Sequence, residues 1–327
     1  MREDKYDFVK GIAISFVILL HTIDRELLLS IHHIYHIGQA VPLFILVTFV
    51  LSFASLSKRT GSEIQYWYSL QRWNNMIRKI WLPYAILQAL FVVMLFAINE
   101  PQRLFSLVKS GGMGPGSYYP WVYLQFWLIM PFLYHIMKYK NAVYLGGAIL
   151  LAINEIIQLG CTYLDVSHDF YRIFAGRYLF LAFWGYCFMK KRISKYAYVL
   201  FAVIGIIYYL SLGKINYVPW LYSSWMSQQL PAYFYTIVLM KLIIELYDKI
   251  KGTKFAQLIV TLGKYSWHVF LLQMLFVVVT NVRMFSFIQS ELMKQVIYVI
   301  IVFLLCTLPV FAYDRYKIKL CNGLRNK

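Results

Sequence analysis

Long apolar runs, punctuated by short charged or aromatic stretches, dominate the pattern along this chain. Runs of about 17–25 residues, the length a helix needs to cross hydrocarbon, fall near 8–29, 37–57, 79–99, 119–138, 142–162, 172–190, 196–213, 229–249, 266–286 and 293–313. They predict an all-α polytopic membrane protein, a bundle of about ten transmembrane helices. The longest loops lie near 58–78, 100–118, 214–228 and 250–265 and are short. Residues 1–327 therefore read as a single transmembrane domain with no appended soluble domain. The pattern contains no internal repeat, heptad array or low-complexity linker. The first run ends in "LLHTIDREL" rather than in a small-residue cleavage site, so it is kept as a span.

Composition agrees: 61% of the 327 residues are hydrophobic and 14% charged, against about 25% charged in soluble domains. The net charge of +18 raises the question of nucleic acid, and the placement of the charges answers it. Ten spans put both termini on one side, and 22 of the 32 Lys and Arg residues lie on that side. The opposite loops hold six: Arg25, Arg103, Lys109, Lys214, Arg283 and Lys294. This asymmetry predicts cytoplasmic termini in the inner (plasma) membrane. The basicity is topological, and nucleic acid is excluded as a partner. Cys161, Cys187, Cys306 and Cys321 are scattered, without the spacing of a disulfide framework or a zinc site.

Chemistry in such a chain falls to polar groups at depth and to loops folded onto the helices. "KGIAISFVILLHT" places Lys10 and His21 eleven residues apart, on one helical face about 16 Å apart. The pattern suits two interfacial anchors; it also suits a functional histidine, for which Asp24 at i+3 would fix the tautomer. "SLQRWNNMIRKIWLPY" puts Arg72, Arg78 and Lys79 at the entrance to the third span, as a topology signal or as phosphate ligands. "GGMGPGSYYPW" reads as a tight loop carrying Tyr118 and Tyr119, not as a dinucleotide fingerprint, because no βαβ unit surrounds it. Asn154 and Glu155 lie inside the fifth span, Arg177 inside the sixth, and His268 and Gln273 in the ninth. His32, His33 and His36 lack further ligands, so no metal is expected.

In this order the motifs resemble the integral-membrane acyltransferase-3 family, over nearly the whole chain. The family's opening, an Asp followed by a basic residue, ten residues and His, is matched by Asp7, Lys10 and His21. "AVPLFILVTFVLS" is similar to its second span, with Thr48 and Phe49 standing where Ser-Gly is usual. "IRKIWLPY" resembles its Arg-rich third-span entry, with Asn75 at the place of a second arginine and Arg72 two turns back from Arg78. "GPGSYYPW", "GRYLFLAFWGY" and "GKYSWHVFLLQM" follow in order, with Gln273 where many members carry His.

The resemblance implies a membrane-bound O-acyltransferase. Its donor would be an acyl-CoA, most often acetyl-CoA, serving as co-substrate. Its acceptor would be the carbohydrate of a cell-surface polysaccharide or a lipid-linked precursor. In the expected arrangement Arg72, Arg78 and Lys79 hold the CoA phosphates, with Lys10 below His21. His21, oriented by Asp24, acts as general base or transient acyl carrier. Arg177, Glu155, Tyr118 and Tyr119 contact the acceptor. Membrane lipid and a second copy of the chain are further partners on this reading. A transporter or flippase of lipid-linked sugar, or an inactive member of the family, are the alternatives.

Overall fold

The computed structural model describes residues 3–139, 143–214, 228–280 and 282–325. Among them the helices are α1 (Asp4–Thr22), α2 (Arg25–Ser30), α3 (Ala40–Leu56), α4 (Glu63–Trp67) and α5 (Leu70–Met76). Next come α6 (Leu82–Ala97), α7 (Arg103–Lys109), α8 (Tyr119–Lys138), α9 (Val143–Tyr163), α10 (His168–Ile173) and α11 (Leu179–Met189). The last are α12 (Lys195–Lys214), α13 (Leu230–Ile250), α14 (Lys254–Lys264), α15 (Ser266–Val279) and α16 (Glu291–Arg325). No strand forms among the described residues. The expected loop at 214–228 falls almost wholly outside them.

Among the described residues, five segments are long and apolar enough to cross a bilayer alone: Ile37–Leu56, Leu70–Ala97, Val143–Tyr163, Leu230–Ile250 and Glu291–Leu320. α14 and α15, bent by 76°, make a sixth if they count as one broken span. The chain is thus a multi-pass helical membrane protein. Several of the ten expected spans take a different form. The first, expected over 8–29, is α1 and stops at Thr22, because Ile23 turns to an extended conformation and Asp24 starts a new helix. The sixth, expected over 172–190, is a short 3₁₀ turn, Ala175–Tyr178, running into the 11-residue α11. α5 and α6 join through a π-turn, Ile77–Trp81. Pro83 follows directly in the first turn of α6, and its ring crowds the carbonyl four residues back, which the wider turn accommodates.

The chain divides into two compact units, residues 1–41 with 240–327 and residues 42–239. In the first, α1 and α14 touch backbone to backbone. A Cβ on Gly11 would lie 2.0 Å from the Ile259 carbonyl oxygen, and one on Gly263 would lie 1.6 Å from that of Asp7. Only glycine permits such an approach, and the order of the contacts makes the two helices antiparallel. α16 also runs against α1: Gln295 near its start donates to the Thr22 carbonyl. Further along, Asp314 accepts from Lys264 at 2.8 Å and from Tyr265 at 2.9 Å.

In the second unit the core is aromatic. Phe49 meets Phe126 edge-on at 4.8 Å and stacks on Phe53, which in turn meets Tyr186. Glycine again sets the spacing between helices: a Cβ on Gly147 would meet the Phe183 ring at 2.6 Å, and one on Gly185 would meet the Phe49 Cβ at 2.6 Å. The glycine usual beside position 48 is therefore not needed on α3, because α11 supplies the small residue.

Gly263→Ala forces two backbones apart where neither has a side chain to swing aside. It is expected to cost about 3 kcal/mol or more, read as a fall in melting temperature in detergent. Gly252→Ala, where an added Cβ would meet nothing within 4 Å, is the neutral control.

Candidate active site

In the first unit, His21 sits in the last turn of α1. Its ring makes no hydrogen bond or ion pair among the described residues. Two nearby histidines differ: His33 Nδ1 meets the Leu28 carbonyl and His36 Nε2 that of Ile31, each at 3.0 Å. The expected His21–Asp24 pair does not form. With α1 ended at Thr22, Asp24 is exposed and caps α2, accepting from Leu27 N at 2.8 Å. Lys10 is half-buried and its ammonium lies 2.6 Å from the Asp7 carboxylate, one turn back and 3% exposed. The first basic position of the motif is thus neutralised locally.

The cationic segment of the second unit is placed by a proline. Pro131 inside α8 has no N–H, so the carbonyl four residues back, that of Trp127, loses its helical donor. The Trp67 indole supplies the replacement, donating to that oxygen at 2.7 Å, and Tyr68 donates to the neighbouring Leu128 carbonyl. Glu63 and Lys138 pair at 3.0 Å beside them, and the ammonium holds the Glu63 carboxyl below its ordinary range.

On this platform Arg72 lies 4.0 Å above the Trp67 ring and donates to the Tyr66 hydroxyl at 2.7 Å. Arg59, which the sequence reading passed over, stacks on the same tyrosine at 3.9 Å and donates to its hydroxyl at 3.0 Å. Burial works against ionisation of that phenol, but its bonds from Ser55 and Arg59 and the charge of Arg72 leave it more acidic than usual. Arg78 and Lys79, on the π-turn, are exposed. The second unit therefore presents two held arginines and two solvated cations on one stretch of chain.

The glycine loop folds as expected. Gly111, Gly112, Gly114 and Gly116 all have φ between +83° and +117°, a region costly for other residues. Tyr84 donates to the Gly111 and Ser117 carbonyls. The Gln88 amide clamps Met113 through both its atoms, at 2.7 and 3.0 Å. Arg172 bonds the Ser110 carbonyl at 2.7 Å. The loop delivers buried Tyr118 and half-buried Tyr119, whose hydroxyl bonds Thr48.

Arg177 is fully buried. Its guanidinium lies 4.4 Å from the Tyr178 ring centre and 4.9 Å from that of Tyr171, and Tyr118 and Tyr233 are near enough to act on its charge. Tyr233 donates to the Arg177 carbonyl at 2.6 Å, Tyr178 to Gln228 at 2.5 Å and Tyr171 to Gln158 at 2.7 Å. Asn154, one turn from Gln158, donates to Glu155 at 3.0 Å. The structure thus joins Arg177 and Tyr118 in one buried polar cluster. It adds Tyr171, Tyr178, Tyr233, Gln158 and Gln228, which the sequence reading missed. The signal is present in the i, i+4 polar pair Asn154 and Gln158, which with Glu155 interrupts a mostly apolar helix. A water-excluded guanidinium walled by phenol rings offers a fixed positive charge to a developing oxyanion and flat faces to a sugar.

Residues 3–312 match the profile of a family described as an acyltransferase domain. Comparison with curated proteins and with solved structures gave no match.

The docking of the cationic segment is testable by a double-mutant cycle. Trp67→Phe leaves the Trp127 carbonyl without a donor and is expected to cost about 1–3 kcal/mol. In a Pro131→Ala background the restored N–H takes that carbonyl, so the same change is expected to cost distinctly less in thermal unfolding.

Proposed function

The chain belongs to the integral-membrane acyltransferase-3 family, and we propose that it moves an acyl group, acetyl foremost, from acyl-CoA to a sugar hydroxyl. The acceptor on this reading is a cell-surface polysaccharide or its lipid-linked precursor, and the site is the plasma membrane with both termini in the cytoplasm. The observation that carries the proposal is the His21 imidazole, unengaged at the end of a helix whose other end is fixed by Asp7, Gly11 and Gly263. A base needs a lone pair that no other group has taken.

The acceptor oxygen attacks the thioester carbonyl while His21 takes its proton. The tetrahedral intermediate then collapses, the C–S bond breaks, and the imidazolium returns the proton to the leaving thiolate. The unit of residues 42–239 supplies two further tasks. Arg72, Arg78 and Lys79, with Arg59, suit the CoA phosphates, since guanidinium groups meet them through paired hydrogen bonds. Arg177 with Tyr118 and Tyr119 suits the acceptor and the oxyanion, and Glu155 suits a sugar hydroxyl. Asp24 has no part in orienting the base, and Lys10 acts through its pairing with Asp7.

Purified protein supplied with acetyl-CoA and envelope carbohydrate is expected to release free CoA thiol. His21→Ala is expected to slow that release by about 10²–10⁴-fold with the melting temperature unchanged. A His21→Ala protein at the wild-type rate contradicts the assignment. Movement of lipid-linked sugar across sealed vesicles without acyl-CoA points to a flippase instead.

A further inference from the structure

Gln273 is fully buried, and neither its Nε2 nor its Oε1 has a hydrogen-bond partner. The other buried glutamines of the described chain are bonded: Gln39 to the Ile34 carbonyl, Gln158 to Tyr171, Gln228 to Tyr178, Gln229 to Tyr208 and Gln295 to the Thr22 carbonyl. A primary amide with two donors and an acceptor all unmet is destabilising in an apolar interior. The other buried residues of α15, Val269, Phe270 and Met274, bring no polar group to meet it.

Its position along the first unit is informative. Gly263, just before α15, touches α1 at Asp7, and Thr280, just after it, reaches the Tyr298 hydroxyl at 3.5 Å. Tyr298 lies one turn beyond Gln295, which binds the far end of α1 at Thr22. α15 therefore leads, at a slant, from the Asp7 end of α1 toward the end that carries Thr22. Gln273 is seven residues from both Ser266 and Thr280, about 10 Å from each end. It stands at mid-depth, between the Asp7–Lys10 level of α1 and the level of His21.

We propose that Gln273 is the binding residue for the pantetheine arm of the acyl donor, its Oε1 accepting from an arm amide N–H and its Nε2 donating to an arm carbonyl. This rests on the acyl-CoA reading above. On that reading, a thioester that reaches His21 from the level of Lys10 must draw a neutral, narrow chain past Gln273, and that chain carries two secondary amides which lose their water on the way. A glutamine amide is their hydrogen-bonding complement. A phosphate would call for a cation at this place, and a polyhydroxylated ring would find no second polar side chain on the buried face of α15.

The experiment compares binding of acetyl-CoA with binding of adenosine 3′,5′-bisphosphate, the phosphate-bearing end without the arm, to full-length protein in detergent by calorimetry. Gln273→Met keeps the volume and removes both bonds. It is expected to weaken acetyl-CoA about 30-fold, to leave the bisphosphate unchanged, and to raise the melting temperature of the ligand-free protein. Gln273→His, with one donor and one acceptor, is expected to recover most of the loss. Equal acetyl-CoA affinity in Gln273→Met and wild type overturns the proposal and leaves the acyl-CoA reading standing. So does a parallel loss of both ligands, or a lower ligand-free melting temperature, since either marks the amide as structural. Wild-type protein that binds the bisphosphate and acetyl-CoA equally tightly shows that the arm gains nothing and also overturns it. Wild-type protein that binds neither removes the acyl-CoA reading itself, and this proposal with it.

Discussion

A backbone carbonyl or a side-chain amide inside hydrocarbon has no water to bond, so each must find its partner within the protein. That constraint explains how the cationic segment is held. Pro131 strips the Trp127 carbonyl of its helical donor; the Trp67 indole replaces it; and the indole in turn becomes the face on which Arg72 rests. A break in one helix thus fixes the position of a charge on another element sixty residues away. The same constraint makes the two unusual polar groups of the other unit stand out. His21 has an unspent imidazole and Gln273 an amide unpaired at both atoms, whereas the buried Gln39 and Gln295 of the same unit are bonded.

Close approach is the second theme, and glycine controls it in both units. Gly11 and Gly263 let α1 and α14 meet through their backbones, which fixes one end of the helix that carries His21. In the aromatic core the side chain of Phe49 lies against Gly185. A glycine on either of two facing helices gives the same separation, so the Thr48–Phe49 departure on α3 leaves that packing intact. Thr48 also bonds Tyr119, tying the second span to the glycine loop.

Much of this was legible in the sequence and some was not, for identifiable reasons. The apolar runs announced a helical membrane protein, and the four glycines of "GGMGPGSYYPW" announced a tight loop, because positive φ is a local demand that only those residues meet cheaply. Helical spacing continued past Thr22 sets Asp24 beside His21, but the helix ends at Thr22. An Asp three residues before Leu27, with Glu26 in between, is also a helix start, and that signal prevailed. The sixth span reads as one helix because it is mostly apolar on both sides of Arg177; the Gly176–Arg177 turn shortens it. The Trp67–Trp127 bond joins positions with no local pattern linking them. Gln273 was noted in sequence as a departure from histidine, but its lack of a partner is a property of packing alone.

One measurement reaches the core of the assignment. Protein reconstituted with acetyl-CoA labelled in its acetyl group, and with the carbohydrate fraction of the cell envelope, is followed for the chemical fate of the label. Label appearing on carbohydrate as an alkali-labile ester, in step with the loss of thioester, is the expected result. Label that stays on CoA, or leaves only as free acetate whether or not carbohydrate is present, contradicts acyl transfer to a sugar.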